Sequence, residues 1–182
     1  RDSSDHRDEV VATVYEYYER ALAQQNAFDF DDLLEKPVRI MMNDTVVRTH
    51  YQKLFSHILV DEYQDINTVQ YQLIRLLAEE HKNLSVVGDD AQAIYSFRGA
   101  DFRNFLNFKR DWPDATIIKL EQNYRSSGTI IEAASGLIQY NNKQTPKKLW
   151  TDNAPGEKIT LVAAEDADSE SVWIAGEIAN RR

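Results

Sequence analysis

Ile58-Leu59-Val60-Asp61-Glu62 is a short apolar run that ends in two carboxylates. Two similar runs follow it along the chain, and segments with a helical spacing of apolar residues lie between them. Strands that are apolar along most of their length, and that alternate with helices, are typical of a buried parallel sheet. The sequence therefore predicts an α/β fold in which helices flank a parallel sheet.

The predicted elements cover most of the chain. Apolar runs rich in β-branched residues predict strands at 57–61, 84–89, 116–120 and 159–163. Helical spacing predicts helices from 5 to about 25, from near 32, at 44–55, 67–80, 101–110 and 127–140, and from 169 to the end. We expect Asp29 or Asp31 to cap the second helix, and Pro37 to lie near its first turn or to kink it.

Length and composition limit the class of protein. The 182 residues suit one domain or parts of two, and 42% of them are hydrophobic, which allows a sizeable core. The lack of cysteine excludes disulfides, thiolate nucleophiles and cysteine-based metal sites. No apolar run approaches the length that crosses a bilayer. The chain begins in a polar stretch without Met and stops within a helical pattern, so we expect it to be cut from a longer protein.

The net charge of −9 argues against a broad nucleic-acid-binding surface, since phosphate contacts need Lys and Arg. A binding groove can nevertheless be local, and its charge can differ from that of the whole chain. The charge therefore does not exclude a nucleic-acid partner.

The two acids after the first run suit a phosphate-transfer site. Ligands of open α/β sheets bind beyond the carboxyl ends of the strands, which is where Asp61 is predicted to lie. A carboxylate there can hold Mg²⁺, usually through water. Glu62 can act as a general base that polarises an attacking water. The alternative is that the two acids merely open a loop after a strand.

The end of the second run combines groups for phosphate and for bases. Gly88 permits a tight exit from the sheet, and Gln92 can donate to or accept from a γ-phosphate. Tyr95 and Phe97, followed by Arg98, suit stacking on unpaired bases beside a cation. The alternative is that both rings belong to the core.

The third run leads into a segment with an arginine and a tyrosine. Arg125 is a planar donor fork that suits phosphate oxygens, and Tyr124 can stack on adenine. The alternative is that Arg125 pairs with Glu121 and that Tyr124 packs in a hinge.

Three ordered segments closely resemble motifs of the UvrD/PcrA/Rep-type superfamily 1 DNA helicases, namely 61–65, 88–100 and 120–126. The stretches 28–34 and 148–151 are similar to that family as well. The resemblance covers nearly the whole chain from Phe28 onward. Family members often have Trp where this chain has Phe97, and stacking should survive that change with less ring area.

The resemblance implies a site that uses ATP and Mg²⁺. Asp61 would help to hold Mg²⁺, and Glu62 would activate the attacking water. Gln92 and Arg125 would contact the γ-phosphate, and Tyr124 would stack on the base of ATP. These four polar residues and the tyrosine are the predicted catalytic and nucleotide-binding set.

The resemblance also implies that single-stranded DNA runs along Phe30, Tyr95, Phe97 and Arg98. The implied activity is 3′→5′ movement on single-stranded DNA and unwinding of duplex DNA in repair or replication. The implied setting is the bacterial cytoplasm, at the nucleoid, with other repair or replication proteins as partners and no membrane.

The implied architecture is an incomplete P-loop NTPase, or RecA-like, fold with a helical N-terminal segment. Residues 1–27 would be the helical tail of an inserted subdomain, 28–122 the second half of the first RecA-like lobe, and 123–182 the start of the second lobe. None of the six glycines lies in a G-x-x-x-x-G-K-[S/T] loop, which cradles phosphates in such proteins. We therefore expect these residues alone neither to hydrolyse ATP nor to unwind DNA.

Two other functions are compatible with the same motifs. One is the motor part of a helicase–nuclease, whose nuclease domain would lie outside this chain. The other is a degenerate helicase fold that serves as an interaction module. The presence of Asp61, Glu62, Gln92 and Arg125 argues against the module, because binding a partner needs none of these groups.

Overall fold

A computed structural model describes residues 3–142 and 144–181, in two compact units that divide between Ala115 and Thr116. The first unit contains α1 Ser3–Gln24, α2 Asp32–Asn43, α3 Thr45–Leu54, β1 Ile58–Val60, α4 Thr68–Ala78, β2 Leu84–Val86, α5 Arg103–Leu106 and α6 Phe108–Asp111. Its connections include 3₁₀ turns at Tyr63–Asp65, Asp90–Gln92 and Ser96–Arg98. The second unit contains α7 Gly128–Ile138 and α8 Ala167–Asn180. Residues 1, 2 and 182, which the predicted domains include, lie outside the described residues.

β1 and β2 form a parallel pair, with Val60 opposite Val86. The ladder continues beyond both strands, because the N–H of Val87 donates to Val60 O at 2.8 Å and the N–H of Tyr63 donates to Val87 O at 3.0 Å. The α/β class and the parallel pairing of the first two predicted strands are confirmed, although the strands are shorter than predicted. Because the two strands are parallel, the backbone leaves β1 and β2 at the same edge of this small sheet.

The prediction of strands at 116–120 and 159–163 is wrong, because the described backbone forms no strand in either stretch. A strand needs a neighbouring backbone that satisfies its N–H and C=O groups, and neither stretch pairs with one. Their apolar side chains are open to solvent, with Ile118 78% and Leu161 94% exposed. An apolar, β-branched sequence favours a strand, but these two stretches have no neighbouring strand with which to pair.

The helices lie close to their predicted positions. α1, α2, α3, α4, α7 and α8 confirm six predicted helices, whereas the helix predicted at 101–110 is divided at Asn107 into α5 and α6. Pro37 lies inside α2. Asp29 caps that helix, since its Oδ1 accepts the N–H of Asp32 at 2.9 Å, and this hydrogen bond lowers the pKa of the Asp29 carboxyl. Asp31 makes no such side-chain bond.

Polar links hold the helices of the first unit together. The ammonium of Lys36 lies 3.1 Å from a carboxylate oxygen of Asp32 and 3.2 Å from one of Glu19, which ties α2 to α1. The Gln52 amide donates to Leu76 O at 2.8 Å and joins α3 to α4. No helix of the described residues is long and apolar enough to cross a membrane.

The core of the first unit is small and lies beside the exit of β1. Its buried apolar side chains are Val38, Met41, Tyr63, Ile66 and Ala78. The ring of Tyr63 packs edge-on against Phe108 of α6, with 5.5 Å between the ring centroids. Burial raises the pKa of the Tyr63 hydroxyl. The chain that follows Asp61 and Glu62 is thus anchored in the core directly after the two acids.

Candidate functional site

The exit of β1 places two exposed acids one after the other. Asp61 directly follows the strand, and one of its oxygens, Oδ1, accepts the N–H of Glu62 at 2.9 Å. Glu62 has a φ of 49°, in the left-handed region. A residue other than glycine is uncommon there, and such strained positions cluster at functional sites. Directly after this turn the chain enters the core at Tyr63.

Gln64 is a buried amide at the centre of this exit, only 1% exposed. Its Nε2 donates to Glu62 Oε2 at 2.7 Å and, more weakly, to Asp65 Oδ2 at 3.3 Å. Its Oε1 accepts the backbone N–H of Asp89 at 3.0 Å. The side chain therefore connects the acid after β1 with the backbone after β2.

The exit of β2 approaches Gln64 closely at Gly88. A Cβ built on Gly88 would lie 2.6 Å from Gln64 Oε1 and 2.9 Å from the ring of Phe105. These separations are shorter than van der Waals contact, so a side chain at position 88 would displace the amide or the ring. Gly88 was predicted to permit a tight exit from the sheet, and the structure shows that it also leaves room for Gln64.

Asp89 extends the hydrogen-bonded chain to Gln92. Asp89 Oδ1 accepts the N–H of Ala91 at 3.0 Å, and Oδ2 accepts the side-chain amide of Gln92 at 3.0 Å. Glu62, Gln64, Asp89 and Gln92 therefore form one continuous path of hydrogen bonds across the two strand exits. Within the first unit, the structure brings the predicted site residues Asp61, Glu62 and Gln92 to the same edge of the sheet.

The rings predicted to stack on bases are exposed, so the alternative that Tyr95 and Phe97 are core residues is wrong. Phe97 is 76% exposed, and its ring centroid lies 5.9 Å from that of Tyr95. The guanidinium carbon of Arg98 lies 4.9 Å from the Tyr95 centroid and 5.4 Å from that of Phe97. Phe30, which precedes α2, is 89% exposed. Tyr95 is 36% exposed and lies under Arg98, so Phe97 offers the more open aromatic face for a flat ligand.

The segment 88–101 is attached to the β1 exit at both of its ends. At its start, Gln64 holds the backbone of Asp89. At its finish, Asn67 forms a bridge with Ala100, and the N–H of Asp101 donates to Ile66 O at 3.1 Å. The segment that carries Gln92 and the aromatic pair is consequently fixed to the segment that carries Asp61 and Glu62.

The second unit presents Tyr124 and Arg125 on a separate elbow. Asn123 Oδ1 accepts the N–H of Arg125 at 3.0 Å and that of Ser126 at 2.8 Å. The Asn153 amide supports the same turn by donating to Ser126 O at 3.0 Å. Both Tyr124 and Arg125 are exposed, so the alternative that Tyr124 packs in a hinge is wrong.

Arg125 has no acidic partner among the described residues. The carboxylate of Glu121 accepts the backbone N–H of Lys148 at 2.9 Å, and the predicted alternative of a Glu121–Arg125 pair is wrong. The guanidinium is thus available to an anionic ligand.

The β1 exit fits a hydrated magnesium ion. Asp61 Oδ2 makes no hydrogen bond within the described residues, and the carboxylate is exposed. Mg²⁺ keeps several waters and is commonly held by one or two carboxylates together with substrate phosphates. No group of three or more His, Asp or Glu side chains in the described residues could hold a metal by itself. The exposed carboxylate of Asp61 is a donor of the kind that such an ion uses.

Gln64 was not among the site residues predicted from the sequence. The signal that it offered is its position: a neutral amide two residues after one acid and immediately before another. Its two N–H groups can donate to both carboxylates, as they do here.

Known proteins match both parts of the chain. Residues 1–113 match the UvrD/REP helicase N-terminal domain, and residues 118–182 match the UvrD-like helicase C-terminal domain. The chain is 46% identical over 178 residues to an ATP-dependent DNA helicase PcrA of Staphylococcus aureus (strain Mu50), and 44% identical over 178 residues to one of Staphylococcus epidermidis. Each match covers 98% of this chain but 24% of the relative, so the chain spans about a quarter of the length of these curated relatives.

We expect Gly88→Ala to lower the free energy of unfolding by about 1–3 kcal/mol, because the new methyl group overpacks the space against Gln64 and Phe105. Gly176→Ala in α8 is the matched control, since no atom lies within 4 Å of its built Cβ. That change should be neutral or stabilise the helix by up to roughly 1 kcal/mol. Urea denaturation measures both; equal stability of the Gly88→Ala variant and the unchanged protein would contradict the close approach.

Proposed function

Because the chain belongs to the UvrD/REP helicase family, as its motifs predicted, we propose that it is part of an ATP-dependent DNA helicase. The proposed protein couples ATP hydrolysis to 3′→5′ movement along single-stranded DNA and to unwinding of the duplex. The observation that carries this proposal is the hydrogen-bonded path from Glu62 through Gln64 to Gln92 across two strand exits. Such a path joins Glu62, the proposed base, to Gln92, the proposed phosphate-contacting amide.

We propose an incomplete RecA-like architecture for the chain. The parallel pair β1–β2, with acids at its carboxyl edge, supports a first RecA-like lobe over residues 28–122, preceded by a helical tail of an inserted subdomain at 1–27. Residues 123–182 would begin the second lobe. The family matches change between residues 113 and 118, and the compact units divide after Ala115, a few residues before the proposed boundary.

The proposed reaction is transfer of the γ-phosphoryl group of ATP to water. Bound Mg²⁺ would neutralise charge on the phosphates, and Asp61 would hold it through its exposed carboxylate. Glu62 would accept the proton of the attacking water. Gln92 would donate its second amide hydrogen to the γ-phosphate, while the first remains on Asp89.

Arg125 and Tyr124, on the elbow of the second unit, are the residues that we propose to contact the phosphates and the base of ATP. The guanidinium of Arg125 has no acidic partner among the described residues, which supports donation to phosphate oxygens. The ring of Tyr124 is exposed, and its hydroxyl donates to Gln122 Oε1 at 2.7 Å. That hydrogen bond would hold the ring while its face stacks on the base of ATP.

Single-stranded DNA is the proposed track. The exposed rings of Tyr95 and Phe97 with Arg98 beside them, together with Phe30, form surfaces suited to unpaired bases. We further propose a role in DNA repair or replication, in the bacterial cytoplasm at the nucleoid, where other repair or replication proteins would be partners. The two named relatives come from bacteria, which supports this setting.

We expect the full-length protein that contains this segment to hydrolyse ATP, and single-stranded DNA to accelerate the reaction. Glu62→Gln keeps the shape of the side chain but removes the proton acceptor, so kcat should fall about 100-fold or more. Affinity for a non-hydrolysable ATP analogue should stay the same. Glu132→Gln, at an exposed position of α7, is the control and should leave kcat unchanged.

The outcomes separate the candidate functions. Hydrolysis that DNA does not stimulate would contradict the helicase proposal and favour an interaction module. Hydrolysis that survives Glu62→Gln would contradict the role proposed for Glu62. The 182 residues alone should show no measurable hydrolysis, because they contain no G-x-x-x-x-G-K-[S/T] loop.

We expect Phe97→Ala to weaken binding of single-stranded DNA by about 1–3 kcal/mol, which is roughly five- to 150-fold in Kd, because one stacking face is lost. Phe97→Trp should bind as well as the unchanged protein or better. Tyr140→Ala, which removes an 83% exposed ring beyond the end of α7, controls for the loss of any surface aromatic. Fluorescence anisotropy at fixed salt measures all three; equal weakening by the control would refute the assignment.

A further inference from the structure

Gln64 has the features of a side chain that serves the site as well as the core. It is almost completely buried, and each of its polar atoms has a partner. Both donors face carboxylates, and the acceptor faces the backbone of the neighbouring strand exit. A side chain needed only to fill space would not need polar atoms in this arrangement, since burying an amide costs free energy unless all its hydrogen bonds are made.

Gln64 holds one carboxylate oxygen of Glu62, the proposed base. Glu62 Oε2 accepts from Gln64, whereas Oε1 makes no hydrogen bond among the described residues. The backbone of Glu62 lies in the left-handed region, and its side chain is held at Oε2 by Gln64. A carboxylate with one bound and one open oxygen can receive a proton from a water in a defined direction.

Through Asp89, Gln64 also supports the side-chain amide of Gln92, which we propose to face the phosphate. Gln64 Oε1 holds the N–H of Asp89, and the Asp89 carboxylate holds the amide of Gln92. Displacement of Gln64 would therefore move the supports of Glu62 and Gln92 together. Gly88 makes this arrangement possible by leaving the space that Gln64 occupies.

We propose that Gln64 is a positioning residue, which aligns the Glu62 carboxylate with the Asp89–Gln92 pair so that water and γ-phosphate meet in one geometry. This inference rests on the proposed ATP hydrolysis. Gln64 itself touches neither reactant and exchanges no proton. Its removal should thus reduce the rate of the chemical step and leave nucleotide binding in place.

The test is Gln64→Glu in the full-length protein, with ATP turnover measured at saturating single-stranded DNA. The variant keeps the length of the side chain and the acceptor for Asp89, but replaces two donors with a third carboxylate beside Glu62 and Asp65. We expect kcat to fall about 100-fold, the loss that a displacement of roughly 1 Å produces at a reacting centre. KM for ATP should change little, whereas the melting temperature should fall, because the variant places a third carboxylate in a buried position.

Two further variants keep the test decisive. Gln72→Glu makes the same change at an exposed position of α4 and controls for added negative charge. Gln64→Met matches the length of the side chain without charge, and serves if Gln64→Glu does not fold. It should show the same loss of kcat with binding of the fluorescent analogue mant-ADP retained.

Each outcome bears on a different claim. If the unchanged protein and Gln72→Glu hydrolyse ATP but the Gln64 variants stay within about twofold of them in kcat, the positioning role is wrong and the proposed function stands. Loss of mant-ADP binding together with kcat in both Gln64 variants would show a purely structural role, and also overturns the inference. No hydrolysis by the unchanged protein would overturn the proposed function and the inference with it.

Discussion

The parallel pairing of β1 with β2 is the constraint from which the geometry of the first unit follows. Val60 lies opposite Val86, and the ladder extends through Val87 and Tyr63. The backbone therefore leaves β1 and β2 at the same edge of the sheet. Two acids after one strand and a glycine after the other are thereby brought close together. The amide of Gln64 then spans the gap, and Gly88 provides the room for it. The site is thus a product of strand register more than of any single side chain.

This arrangement also relates the two ligands that we propose for the chain. The segment 88–101 carries Gln92 at one end and the exposed rings near the other, and both of its ends are attached to the exit of β1. Glu62 and Gln92 are therefore joined, through hydrogen bonds and a short length of backbone, to the segment that carries Tyr95 and Phe97. One short segment thus carries residues that we propose for both ligands.

The sequence allowed much of this to be predicted, for identifiable reasons. Helices such as α1 and α4 are predictable because their apolar residues recur at local spacing, and β1 and β2 because apolar runs end in polar residues. The runs at 116–120 and 159–163 have the same composition, but composition cannot supply the partner on which a strand depends. Gln64 was missed because its importance comes from burial and from the approach of Asp89, twenty-five residues away in sequence.

The most direct measurement is a crystal structure of the full-length protein with Mg²⁺ and ADP–beryllium fluoride, which mimics bound ATP. The predicted result is a water about 3 Å from the open oxygen of Glu62, while the other oxygen still accepts from Gln64 and Gln92 faces the fluoride. A Glu62 side chain turned away from the nucleotide, or a Gln64 amide hydrogen-bonded elsewhere, would contradict the claim that the joined strand exits form the hydrolytic site.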